Sequence, residues 1–431
     1  MKKHSFYIKT LGCKLNFSES ATLERMLNEK GYYLADKSSS TDIYIINTCA
    51  VTETAEKKCR QFIHQAKKQN PQVKIVLIGC YSALENAQTI ASEVDLMLGS
   101  GNKLQLVEQI DVLFEENNQV VEIKEKEQEP FFASYSIDER TRSFLKIQDG
   151  CDYFCTYCTV AYARGRSRSD SIENIIMHAK EIVSHQAKEI VLSGVNIGDF
   201  KTGKGERFID LLHALEDVEG LHRIRISSIE PNLLTDEILD WVARSEKVLP
   251  HFHIPLQSGS NEILSLMKRR YPRELFREKV FLIKEKMPHC CIAADVIVGF
   301  PNETDILFEE TYHFIEELPL SMLHVFPYSK RPNTVAATME NHLSNACKNE
   351  RANSLIELSN NKKTFFYRQN LDRECFALME AKQENGFLTG FTDNYIRVKL
   401  AYDAAIINEI VKITIRKMDN DGVCEAVSAP Y

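Results

Sequence analysis

The chain has 431 residues, of which 44% are hydrophobic and 26% charged, with 53 Lys+Arg against 61 Asp+Glu for a net charge of −8. This length and composition suit a globular protein of several domains, and they exclude intrinsic disorder and a collagen-like or coiled-coil rod. The acidic balance excludes a generally basic nucleic-acid binder while leaving room for local basic patches. From Ser5 to about residue 114, short β-rich runs alternate with helical patterns. Strands are expected at Ser5–Thr10, Ile43–Asn47, Lys74–Ile78 and Val94–Leu98, and helices at Ser18–Lys30 and Thr54–Gln69. Such alternation argues for a doubly wound parallel sheet. The glutamate-rich stretch 115–136 reads as a linker, with Val120–Ile123 as an optional edge strand.

A second alternating region follows, taken as a domain over 137–365. Its expected strands are Phe144–Gln148, Ile190–Ser193, Arg223–Ser228, His251–Pro255, Ile292–Val298 and Met322–Pro327, and a long helix, about Ser344–Gln369, leads out of it. Six βα repeats suggest a partial (βα)6 barrel, short of the eight repeats in a TIM barrel. Residues 366–431 read as five strands without intervening helices, hence a small antiparallel β-barrel. That last segment carries 8 Lys+Arg and 10 Asp+Glu, which is no RNA-binding footprint by charge.

Twelve cysteines are too dilute for a secreted disulfide scaffold. The apolar run Phe6-Tyr7-Ile8 is too short for a signal-peptide core, and no stretch nears the roughly 20 apolar residues that span a bilayer. The expectation is a cytoplasmic protein, away from any membrane, whose clustered thiols serve metal or catalysis. Cys151-Asp-Tyr-Phe-Cys155-Thr-Tyr-Cys158 follows the first strand of the second region. Three thiolates on one loop can hold three irons of a [4Fe–4S] cube and leave the fourth open. Structural zinc, the alternative, almost always takes four protein ligands, and no Cys or His lies within the next ten residues. Cys13, Cys49 and Cys80 each stand just beyond an expected strand of the first region. Carboxyl ends of parallel strands converge on one crevice, so these three predict a second cluster site. Cys59, Cys290, Cys291, Cys347, Cys375 and Cys424 read as interior residues.

The Cys151/Cys155/Cys158 spacing resembles the radical S-adenosylmethionine (SAM) superfamily. Two three-cysteine sets and a terminal barrel together resemble the methylthiotransferases over nearly the whole chain. Further matching blocks are Ala163-Arg-Gly-Arg-Ser-Arg168, Leu192–Ile197, Ser227–Pro231, His253–Gly259, Met267–Tyr271 and Val298–Thr304. The family usually has proline at Ala161 and glycine at Asn302. The resemblance implies two [4Fe–4S] clusters, SAM and no catalytic residue beyond the cluster ligands. It places Tyr157 near the SAM adenine, gives Asn196, Glu230 and Gln257 polar contacts to SAM, and makes Gly299, Phe300 and Pro301 a wall beside its adenosine. Arg164, Arg166, Arg168, Arg269 and Arg270 would face substrate. The terminal barrel would be TRAM-like. Expected partners are a tRNA anticodon stem-loop and an electron donor such as flavodoxin or ferredoxin. Basic residues Lys57, Lys58, Arg60, Lys67 and Lys68 would add to the RNA footprint, or form a solvated helix face. Thr10-Leu-Gly-Cys-Lys-Leu-Asn16 resembles the branch acting on N6-threonylcarbamoyladenosine at tRNA position 37. Isopentenyladenosine in tRNA and an aspartate of a ribosomal protein are the alternatives within the family. A zinc-stabilised RNA-binding protein is the alternative outside it.

Overall fold

The computed structural model describes residues 4–36, 41–50, 53–115, 121–123, 131–137, 141–419 and 422–428. Most of the expected linker, residues 116–120 and 124–130, lies outside the described residues. The chain forms two compact units, one of Met1–Ser136, Phe144–Asp170 and Ser329–Ala337, the other of Ile137–Ser143, Ser171–Tyr328 and Thr338–Tyr431.

The first unit is built on β1 (Ser5–Thr10), β2 (Tyr33–Leu34), β3 (Ile43–Thr48), β4 (Lys74–Gly79), β5 (Leu96–Leu98) and β6 (Val121–Ile123). They lie in the order β2-β1-β3-β4-β5-β6, and every pairing is parallel. The optional edge strand is β6. Because both faces are covered, β3 and β4 are near-continuous apolar runs and do not alternate. On one face Leu23 and Leu27 of α1 (Lys14–Glu29) and Leu106 and Val107 of α3 (Leu106–Gln109) pack on Ile43, Ile45, Val76 and Ile78. On the other, Cys59 and Ile63 of α2 (Glu53–Gln69) pack on Ile46, Ile75 and Leu77. A short α4 (Val112–Glu115) follows α3. The doubly wound parallel sheet is thus present. Most boundaries shift by one or two residues, and the largest difference is in α1, which starts at Lys14, not Ser18. Ser18 lies inside that first turn, its hydroxyl donating to the Leu15 carbonyl (2.9 Å).

Strand β7 (Arg142–Lys146) enters the first unit at Phe144, and β8 (Gln148–Asp149) pairs antiparallel with β9 (Arg168–Ser169). Between β8 and β9 lie the Cys151 loop and α5 (Val160–Arg164).

In the second unit β10 (Glu189–Ser193) pairs parallel with β11 (Arg223–Ile226). Strands β12 (His251–Gln257), β13 (Cys291–Val298) and β14 (Met322–Pro327) form a parallel set. Bridges Ile224↔Val248 and Ser228↔His253 run from β11 toward β12. Helices α6 (Ile172–Ser184), α7 (Phe208–Glu216), α8 (Asp236–Arg244), α9 (Asn261–Leu266), α10 (Arg273–Lys286) and α11 (Asp305–Glu317) intervene, and α12 (Asn345–Arg368) leads out. Several start where a hydroxyl accepts an otherwise unpaired amide of the first turn: Ser171 for α6, Thr235 for α8, Thr304 for α11 and Ser344 for α12.

Finally β15 (Glu374–Glu384), β16 (Phe387–Thr392), β17 (Arg397–Ala401), β18 (Ile410–Met418) and β19 (Cys424–Ser428) close a ring in the order β15-β16-β17-β19-β18. The ring is not wholly antiparallel as expected: β17 and β19 are parallel. An odd number of strands cannot alternate direction around a closed circuit, so at least one neighbouring pair must run the same way.

Candidate functional site

In the first unit, Cys13, Cys49 and Cys80 follow β1, β3 and β4. These are adjacent strands, in register from Thr10↔Asn47 to Thr48↔Gly79. The order β2-β1-β3 puts Cys13 and Cys49 at the switch point, where the connections from neighbouring strands leave in opposite directions and open a crevice. Close approach is enforced by glycine. Gly12 has φ +97°, and a Cβ there would lie 2.9 Å from Cys49 Sγ; Gly79 has φ +108°, and its Cβ would lie 2.6 Å from the Thr48 carbonyl oxygen. Asn16 Nδ2 donates to the carbonyls of Leu11 (2.7 Å) and Thr48 (2.9 Å), tying the β1 and β3 turns together. Cys13 is exposed, Cys49 half-buried and Cys80 buried.

The second set sits on a loop closed by the Cys151 amide donating to the Gly165 carbonyl (3.1 Å) and the Cys158 amide to the Cys155 carbonyl (3.0 Å). The Tyr153 amide points at Cys151 Sγ and the Val160 amide at Cys158 Sγ, each at 3.4 Å. Amides aimed at sulfur suit thiolates, and such bonds tune cluster potentials. Tyr157, between the last two cysteines, is half-buried. Ala161 falls in the first turn of α5, where proline is also tolerated.

A buried charge network reaches one of these sulfurs, that of Cys80. Glu19 on α1 accepts from Lys103, from Lys146 (2.8 Å) and from Arg164 Nη1 (3.0 Å). Asp149 pairs with Lys146 (2.7 Å) and Arg164 (3.0 Å). Arg164 Nε donates to Cys80 Sγ (3.1 Å) and Nη2 to Asn16 Oδ1 (2.8 Å). Burial opposes ionisation of Glu19, but the three cations hold its carboxyl well below the usual range. Burial pushes the Cys80 thiol up, opposed by Arg164 and then Lys103.

Among the described residues, no three His, Cys, Asp or Glu side chains stand in metal-holding geometry. The fit to iron–sulfur groups rests instead on donor chemistry. Two sets of three cysteines are backed by inward amides, a guanidinium on one sulfur, and cradles too tight for a Cβ.

The other candidates fall in the second unit, beyond the carboxyl ends of β10 to β13. Asn196 is buried after β10. Glu230, after β11, is paired by Arg269, and burial raises its carboxyl despite that guanidinium. Gln257 takes φ +66° at the end of β12, where the register shifts; bulges of this kind re-aim side chains beside functional sites. The Gly299 amide donates to Glu303 Oε2 (2.6 Å), fixing the Gly299–Pro301 turn after β13. Phe300 is buried edge-on against Tyr328, and Pro301 is buried. Asn302 has φ +69° where glycine is usual, a conformation asparagine tolerates.

Two of the arginines expected to face substrate lie inward. Arg164 is buried, with its donors taken up by Cys80, Asn16, Glu19 and Asp149. Arg269 also turns inward, its side chain 3% exposed on Glu230 and bonded to the Tyr271 hydroxyl. A buried guanidinium needs a carboxylate, and each found one inside. Arg166 is 76% exposed and Arg168 23%; Arg270 is exposed, as are Lys57, Lys58, Arg60 and Lys68, with Lys67 half-buried. Cys59, Cys290, Cys291, Cys375 and Cys424 are buried and Cys347 half-buried. Burial pushes Cys59 and Cys375 up to about 12 and Cys291 and Cys424 up to about 11. Sequence reasoning missed Asn16, Glu19, Lys103, Lys146 and Asp149. The available signal was charge inside apolar elements, such as Lys146 in Phe144–Gln148.

A family model described as "Uncharacterized protein family UPF0004" matches residues 5–99, and the radical SAM superfamily model matches residues 145–315. A Bacillus subtilis protein named threonylcarbamoyladenosine tRNA methylthiotransferase MtaB is 40% identical over 420 residues, covering 95% of this chain and 93% of its own. A Thermotoga maritima protein of the same name is 33% identical, covering 96% and 95%. A Clostridium perfringens tRNA-2-methylthio-N(6)-dimethylallyladenosine synthase is 34% identical, covering 96% of each chain. Among solved structures, the radical SAM methyltransferase TsrM of Kitasatospora setae superposes with a TM-score of 0.57 at 14% identity, covering 78% of this chain and 77% of that one. That likeness speaks for the fold alone. No helix among the described residues is long and apolar enough to cross a membrane. With 33–40% identity to its relatives held over more than nine-tenths of each chain, this chain belongs to the methylthiotransferase family of radical SAM enzymes.

Proposed function

We propose that this chain converts N6-threonylcarbamoyladenosine at tRNA position 37 to its 2-methylthio derivative. The reading is supported by two three-cysteine sets within the first unit, one of whose sulfurs, on Cys80, accepts from Arg164 of a buried charge network. The substrate follows from likeness along nearly the full length to proteins bearing that activity in their names. An adenine C2–H bond lies beyond ordinary acid–base chemistry, and iron–sulfur clusters with SAM supply the one-electron and sulfur-transfer chemistry it needs.

The residues then divide the work. Cys151, Cys155 and Cys158 hold one [4Fe–4S] cluster with an iron left open to SAM, and Cys13, Cys49 and Cys80 hold a second. Tyr157 lies by the adenine. Asn196, Glu230 and Gln257 orient the polar groups of SAM, with Arg269 fixing Glu230, and the Gly299–Pro301 turn excludes water beside the adenosine. Residues 1–114 form the auxiliary-cluster domain and 115–136 the linker. Residues 137–365 form the partial (βα)6 radical SAM barrel, and 366–431 the TRAM-like ring. The exposed cations of α2, with Arg166, Arg168 and Arg270, bind the phosphates of a tRNA anticodon stem-loop. The target base turns out of its stack to react. A cytoplasmic flavodoxin or ferredoxin delivers electrons.

Mass spectrometry of tRNA nucleosides from cells with and without the gene tests this directly. Loss of the 2-methylthio derivative of threonylcarbamoyladenosine is expected. An unchanged level sinks the substrate assignment, and loss of the isopentenyl-type derivative reassigns it. Anaerobic protein should carry about eight irons and eight sulfides per chain; stoichiometric zinc without iron sinks the enzyme reading.

A further inference from the structure

Arg164 closes the helix that follows Cys158, yet its guanidinium serves the other cysteine set. Nε donates to Cys80 Sγ (3.1 Å), Nη2 to Asn16 Oδ1 (2.8 Å), and Nη1 to Glu19 Oε1 and Asp149 Oδ1 (3.0 Å each). Asn16 and Glu19 lie on the helix that begins at Cys13, and Asp149 lies on the strand that leads to Cys151. One side chain therefore ties the Cys13 helix, the Cys80 sulfur and the Cys151 strand together, with partners as far as 148 residues away in sequence.

The charges do not cancel among themselves. Lys103, Lys146 and Arg164 face Glu19 and Asp149, and none of these side chains is more than 2% exposed. Arg168, 23% exposed, adds a further cation on Asp149 (3.4 Å), so the cations outnumber the two carboxylates. Within this network Arg164 donates directly to the Cys80 sulfur, and the thiolate is the form that ligates metal.

We propose that Arg164 is a positioning residue for the cluster at Cys13, Cys49 and Cys80: it holds the Cys80 sulfur in place as an anionic ligand and favours the more negative, reduced state of that cluster. The inference rests on the reading that these three cysteines carry an iron–sulfur group. It gives the arginine-rich segment after the Cys151 loop an inward purpose distinct from its exposed neighbour Arg166. A cation beside the cluster stabilises the electron gained on reduction, and its hydrogen bond withdraws charge from the sulfur.

The test uses full-length protein loaded anaerobically, with Cys151, Cys155 and Cys158 replaced by alanine so that one cluster reports. Iron and sulfide per chain are measured, then the reduced fraction at fixed applied potentials by electron paramagnetic resonance. Arg164→Gln should lower the reduced fraction at the parent's midpoint by about fivefold, part of what a hydrogen bond to a charged group is worth. Arg164→Lys should recover most of it. A fully loaded Arg164→Gln protein with the parent's reduced fraction overturns the proposal.

If Arg164→Gln retains no iron, Lys146→Gln decides. That variant removes a cation from the same network, but Lys146 bonds Glu19 and Asp149 and no sulfur. Iron kept by Lys146→Gln and lost by Arg164→Gln supports the proposal, and equal loss in both overturns it. A parent chain that binds no iron through Cys13, Cys49 and Cys80 overturns the underlying reading, and the inference with it.

Discussion

Replacing Arg351 with methionine should destabilise the second unit by several kcal/mol, and the deficit should depend on pH. The Glu303 side chain is 0% exposed. Its Oε2 accepts from the Gly299 amide (2.6 Å) and from Arg351 Nη1 (2.6 Å), and the same nitrogen donates to the Glu303 carbonyl (2.8 Å). Burial raises the Glu303 carboxyl, and the Gly299 amide and Arg351 pull it back. Arg351→Met leaves a buried carboxylate with one amide, and breaking a buried pair from one side costs about 3–5 kcal/mol. The second ion pair of Arg351, to Asp305 at 90% exposure, adds little.

Without Arg351 the folded-state value of Glu303, already above the ordinary 4.5, rises further. A raised folded value means that stability is fully present below the ordinary carboxyl value and is lost as pH climbs through the folded one. The variant should therefore lie close to the parent near pH 4.5 and fall furthest below it at pH 8. Thermal unfolding followed by circular dichroism at both pH values reads this, with a midpoint lowered on the order of 10 °C at the higher pH. Arg351→Met combined with Glu303→Gln keeps an oxygen for the Gly299 amide without the charge, and should recover most of the loss. A deficit equal at both pH values, or a double variant no better than the single, would refute the reasoning.

Three other outcomes are expected. Alanine at Cys13, Cys49 and Cys80, or at Cys151, Cys155 and Cys158, should each leave about four of eight irons, as measured by iron and sulfide analysis; a triple variant that keeps all its iron contradicts the ligand assignment. Gly150→Ala should empty the Cys151 set alone, because Gly150 has φ +70° and its added Cβ would run into the Arg166 backbone; electron paramagnetic resonance of both clusters checks this. Asn302→Val should cost about 1–2 kcal/mol, since a β-branched residue resists the left-handed φ of +69°, whereas Asn302→Gly should be close to neutral in the same melt.

The cysteine positions were legible because each signal is local: a thiol just past an apolar strand run for Cys13, Cys49 and Cys80, with a glycine before the first and last, and close spacing for Cys151, Cys155 and Cys158. The charge network was not. Glu19 meets Lys103, Lys146 and Arg164 across 84, 127 and 145 residues, and no local pattern tells which charges the fold will face inward. Arg164 read as one cation in a basic run with Arg166 and Arg168, although only tertiary pairing separates the inward one from the outward one. The expected helix start at Ser18 falls four residues late, because the turn after Cys13 begins the helix at Lys14. The ring of five strands was visible in composition, and its one parallel contact needed only the parity of the strand count.

That parallel contact sets where the ring opens. Strands β17 and β19 meet over two residue pairs, Val398↔Cys424 and Lys399↔Glu425, whereas each other seam has five. Lys399 laces the short seam through Asp419 (2.8 Å) and Glu425 (3.4 Å), a half-buried clasp that salt weakens less than a fully exposed pair. Local unfolding should begin there, so the β17 and β19 amides should exchange with solvent before those of β15. For as long as the seam is open, the ring is an ordinary sheet with two free edges, each able to accept a strand from elsewhere.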